Sequence, residues 1–161
     1  MTSGQALQTP RTNPVTAGMF AVGMLAIGMV TALLATTFLP NDVFTAQNEP
    51  AFAPIAWLFW SVWIVIYPSM GIATYLVWRL RGVEDVTLPL LLFVVSLLQG
   101  LSFWLSDTVR MTTIIDATGL LLSYAVAYAY SRHSRAAVLW LLPLLIWMPI
   151  TLALKIWLWV G

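Results

Sequence analysis

Long runs without a charged side chain dominate this sequence, and they fix the solvent in which it folds. Between Thr16 and Leu39, for instance, there is no Asp, Glu, Lys or Arg. An α-helix needs about 20 apolar residues to cross a hydrocarbon core of roughly 30 Å. Five such runs can be laid out, at about 16–39, 55–80, 87–105, 111–130 and 136–160. Only 8% of the 161 residues are charged, against about a quarter in a soluble domain, so little chain is left for a water-exposed part. A segment in lipid must satisfy its own backbone groups, and the strict alternation of barrel strands is absent, so each run is expected to be a helix. The prediction is an all-α bundle of five transmembrane helices, one domain over 16–161, preceded by a disordered cytoplasmic tail over 1–15. The first run is too long for the apolar stretch of a secretory signal, and it is expected to stay as the first span.

Charge sets the orientation. With five spans, Arg11, Arg79, Arg81, Arg132 and Arg135 fall on one side, and Arg110 and Lys155 on the other. Basic residues favour the cytoplasmic side, so the N-terminus is expected to be cytoplasmic and the C-terminus outward. The net charge of +1 gives no reason to expect a nucleic-acid partner. The chain has no cysteine and a single histidine, His133, in a basic turn. Disulfides, thiolate metal sites and a cysteine nucleophile are thereby excluded. No residue set for catalysis or metal binding is expected, and no cofactor is required.

The unusual residues gather in the half of each span expected to face outward. Trp57, Trp60, Trp63 and Tyr67 recur at spacings of three and four, which makes one aromatic stripe on a helix. Trp57 and Trp60 suit an interfacial belt as well as a pocket. Trp63 and Tyr67 lie deeper, where an indole N–H or a phenol needs a partner. Gln99, Asp116 and Lys155 interrupt apolar runs. An ionisable group at such depth costs about 2.5–3.5 kcal/mol, so it should face the bundle interior or water. Each also has a plainer explanation: Lys155 can snorkel, Asp116 can sit at the positive end of its own helix, and Gln99 can join helices. Taken together, these residues predict a pocket beneath the first loop. Gly18, Gly23 and Gly28 on the first span would let another helix come close.

The stretch PAFAPIAWLFWSVWIVIYPSMGIATYLVWRLRG carries a specific pattern. It resembles the signature of the TspO/MBR family, the tryptophan-rich sensory and translocator proteins. Pro54, Trp57, Trp63, Tyr67, Met70, Gly71, Tyr75, Leu76, Val77 and Trp78 fall at matching spacings without a gap, and Pro50 matches an upstream proline. Pro143 and Trp147 match a motif of the fifth helix, and Asp116 an acidic position early in the fourth. The resemblance implies a five-helix bundle, usually a homodimer. It also implies an outward pocket that binds porphyrins (heme-type ligands included) and other hydrophobic small molecules, sterols among them, with Trp63 and Trp147 lining it and Tyr67 and Asp116 as neighbours. The chain departs from the pattern at Ile55, Phe52, Trp60, Lys155 and the third helix, where only Gln99 and Trp104 stand near an asparagine–tryptophan motif. A membrane receptor or carrier for planar hydrophobic ligands is therefore expected, with Trp57, Trp60, Trp63, Tyr67, Gln99, Asp116, Trp147 and Lys155 as its binding residues. Two alternatives follow from the same pattern: a photo-oxidative porphyrin-degrading enzyme, and an interaction subunit whose pocket is plugged by Trp60.

Overall fold

A computed structural model describes residues 12–38, 56–81, 87–104 and 109–160. The described residues form five helices: α1 (Pro14–Phe38), α2 (Ala56–Arg81), α3 (Thr87–Trp104), α4 (Val109–Ser131) and α5 (Arg135–Val160). The five helices read from the sequence are therefore present, with ends displaced by at most two residues. The expected tail falls outside the described residues up to residue 11, and α1 takes in Pro14 and Val15. Four of the helices are long and apolar enough to cross a membrane, and α3 contributes a shorter apolar stretch, Thr87–Gly100. At 18 residues and 1.5 Å per residue, α3 spans about 27 Å. The chain is an integral, multi-pass membrane protein.

Around the bundle the helices run α1, α2, α5, α4, α3 and back to α1, and α2 also touches α3 across the middle. The most deeply buried side chains, including Ile66, Met70, Leu92, Tyr130, Leu141, Leu144 and Met148, face inward from α2, α3, α4 and α5. α1 is the peripheral helix: Val15, Met19, Val22, Met29, Val30 and Leu33 are exposed, as suits side chains in contact with lipid.

Local chemistry explains how the helices start and survive their prolines. Asn13 caps α1, its side-chain oxygen accepting from the backbone N–H of Val15 at 3.0 Å. Pro14 occupies the first helical position, where its missing N–H costs nothing. The Asn13 N–H donates to the Tyr75 hydroxyl at 2.7 Å, which ties the start of α1 to the later half of α2. Asn13→Ala removes the cap and is expected to cost about 1 kcal/mol, read as a lower melting temperature in detergent with faster amide exchange confined to the first turn of α1. Pro149 lies inside α5 and cannot donate to the Leu145 carbonyl four residues back. The Tyr124 hydroxyl on α4 donates to that carbonyl instead, at 3.2 Å. A neighbouring helix thus satisfies the freed group, as a backbone in lipid requires.

Glycines set the closest approaches. A Cβ at Gly71 would strike the Phe20 carbonyl oxygen and come within 2.7 Å of Ala21 Cα, and one at Gly28 would strike the Tyr67 ring. One at Gly100 would lie 2.6 Å from Thr31 Cγ2. Gly18 and Gly23, by contrast, have nothing within 4 Å. Of the three α1 glycines singled out in the sequence, only Gly28 seats another helix here.

Candidate functional site

Antiparallel alternation brings the end of α1, the start of α2, the end of α3, the start of α4 and the end of α5 to one side of the membrane. Trp63, Tyr67, Gln99, Asp116 and Lys155 lie in this half, and Trp147 stands near the middle of α5. The structure sorts them into two groups.

The first group borders a cavity of about 410 Å³ lined by Leu25, Gly28, Met29, Thr31, Ala32 and Leu33 of α1, Trp63, Ile64 and Tyr67 of α2, and Gly100 of α3. Among the described residues, none that lines it is charged. Trp63 and Tyr67 stand one helical turn apart, with ring centroids at 5.3 Å and planes tilted by 34°. They form one aromatic wall, as their spacing of four dictates. The Tyr67 phenol hydrogen-bonds with the Thr31 side chain. The Thr31 hydroxyl itself donates back to its own helix, at 2.6 Å from the Ile27 carbonyl. The Trp63 indole Nε1 is buried and has no hydrogen-bond partner among the described residues. Such a group normally costs stability unless something accepts from it. Pro68 adds an acceptor nearby: it removes the helical donor of the Ile64 carbonyl. The wall is thus mostly apolar with an aromatic face, and the Trp63 N–H is turned away from its accessible surface.

The second group lies across α3. Lys155 Nζ and Asp116 Oδ2 are 2.9 Å apart, with side chains 19% and 4% exposed. They join α5 to α4. Gln99 is buried and packs against α4, its Nε2 lying 2.8 Å from where a Cβ of Gly119 would be. Gly119 follows Asp116 by three positions, so Gln99 sits one turn from the ion pair. Neighbouring residues on a helix point about 100° apart, and α3 uses this: Gln99 faces α4 while Gly100 faces α1.

Trp147 is 7% exposed, as is Trp63, so neither indole lies in lipid. Trp147 is on α5 and does not line the cavity described above. Asp116, Gln99 and Lys155 do not line it either. The side chains of Trp57 and Trp60, and the first loop beneath which the pocket was expected, lie outside the described residues. The α1 wall was missed in the sequence. Its only signal was the small pair Gly28 and Thr31, one turn apart, in a helix that otherwise looked like plain membrane filler.

The sequence model of the TspO/MBR family matches residues 19–160 of this chain. Among individual proteins, Translocator protein 2 of Mus musculus is similar, 31% identical over 105 residues that cover 61% of this chain and 65% of that protein. The chain thus spans just under two thirds of the length of the relative it matches.

Proposed function

This chain belongs to the TspO/MBR family, and from that premise we propose that it is a membrane receptor or carrier for planar hydrophobic ligands, a tetrapyrrole such as a porphyrin first. The observation that carries this reading is the cavity walled by Trp63 and Tyr67. Its volume falls within the usual range of small-molecule pockets, about 300–1,000 Å³. An aromatic wall offers a flat ring system a stacking face. On this reading the N-terminus is cytoplasmic and the cavity lies toward the outer leaflet, the orientation that the five-to-two division of basic residues favours. The usual dimer of the family carries over as part of the same proposal.

Titration with protoporphyrin in detergent, followed by the shift of the porphyrin's own absorption band, tests the reading. Trp63→Ala is expected to weaken binding about tenfold, the equivalent of roughly 1.4 kcal/mol. Trp140→Ala, on the exposed face of α5, should leave the affinity within about twofold. If the parent protein produces no band shift, or Trp63→Ala binds as tightly as the parent, the receptor reading is wrong.

A further inference from the structure

We propose that the cavity is entered from the side, through a mouth between α1 and α2 that opens into the hydrocarbon of the bilayer, so that its ligand is a membrane-dissolved hydrophobe and not a solute taken from water. This rests on the reading of the cavity as a ligand site.

Exposure and depth carry the argument. The inner part of the lining is interior: Trp63 and Tyr67 are buried, and Gly28 and Gly100 lie against the neighbouring helices. Three lining residues are different. Met29 is 56% exposed, Leu33 66% and Ile64 55%. They come from the two helices that bound the cavity, so the opening runs along the α1–α2 seam.

Position along the helices gives the depth. Ile64 comes eight residues after the start of α2 and Met29 nine before the end of α1, both at the first-loop side. At 1.5 Å per residue these places are about 12–14 Å from the helix ends. α1 and α2 have 25 and 26 residues, or about 37–39 Å, against a hydrocarbon core of about 30 Å. Each helix overhangs the core by roughly 4 Å if centred, which leaves the middle of the mouth about 8–10 Å inside it. What surrounds the mouth there is acyl chain. The described lining is uncharged and matches that surrounding, since none of its side chains would hold a water-filled channel open.

The test uses the absence of native cysteine, which makes any introduced thiol unique. Tyr67→Cys carrying a bimane label puts a fluorophore in the space of the lost ring. Ala32→Cys, also in the lining, serves where the first variant folds poorly. Val22→Cys, on the exposed face of α1, is the lipid-facing reference. In phosphatidylcholine vesicles the cavity label should be quenched by phospholipids brominated on the acyl chain to within about twofold of the Val22 label, and iodide in the water should leave it unchanged. Quenching by iodide without quenching by brominated lipid would overturn the proposal in favour of a water-facing mouth. Quenching by neither would overturn it in favour of a closed chamber. In a parallel arm, unlabelled protein is mixed with vesicles preloaded with protoporphyrin, and a band shift that grows with its mole fraction in the membrane is expected. Absence of any shift there, with the lipid quenching intact, removes the porphyrin reading and leaves the side mouth standing.

Discussion

Lys155→Met is expected to destabilise the bundle by about 3–5 kcal/mol, the cost of breaking a buried ion pair and stranding one charge. The partner left behind is Asp116, almost wholly buried between α4 and α5, in a medium where an uncompensated carboxylate costs about 2.5–3.5 kcal/mol on insertion scales. Water cannot readily solvate it there. Asp116→Leu should cost a similar amount for the opposite reason, since the ammonium of Lys155 then lacks its counter-charge. The double variant Asp116→Leu with Lys155→Met removes both charges and replaces them with apolar groups of similar length. It should recover to within about 1 kcal/mol of the parent, because a buried pair is worth little net against well-packed apolar side chains. Unfolding by a denaturing detergent, followed by helical circular dichroism, supplies the four corners of the cycle. Single variants within about 0.5 kcal/mol of the parent would show that the pair is not a fastening at all.

The second large effect is expected at Gly71. A methyl group there meets the Phe20 carbonyl oxygen and Ala21 Cα of α1, which are backbone atoms and cannot turn aside as a side chain can. Gly71→Ala therefore pushes α1 away from α2, at about 1–3 kcal/mol for overpacking, and Gly71→Val more. Close helix approach is the main source of cohesion between helices in lipid, where apolar side chains gain nothing by leaving acyl chains for one another. Because α1 supplies one wall of the cavity, the same variant should also widen it and weaken ligand binding. Gly18→Ala and Gly23→Ala, in open surroundings, are the controls and should melt within about 1 °C of the parent for changes of a few tenths of a kcal/mol. A Gly71→Ala protein as stable as these controls would mean that α1 is free to move on α2.

How much of the site was legible follows from the same physics. The pair Trp63 and Tyr67 could be read directly, because a spacing of four places two rings on one face whatever surrounds the helix. That Asp116 and Lys155 face the interior also followed, from the cost of a charge in hydrocarbon. That they face each other, and stand across α3 from the aromatic cavity, did not. Their positions are 39 residues apart in the chain, and no local rule relates them. Gly28 and Gly71 resemble the other membrane glycines in the sequence, yet they sit at close approaches while Gly18 does not.

Transfer from water to lipid is a property of each segment alone, so the sequence by itself determined the number of helices, their ends to within two residues, and the membrane they occupy. The family followed too, from a motif confined to one helix. Which side of each helix turns inward was decided only by the tertiary structure. In water a helix declares its buried side by where its apolar residues stop, but α1 and α5 are apolar all round, and lipid accepts every face equally well. The choice falls to shape: where a glycine admits a backbone, where a tyrosine reaches a carbonyl that a proline left bare, and where two charges meet. Those contacts place α1 at the edge of the bundle and the cavity behind it.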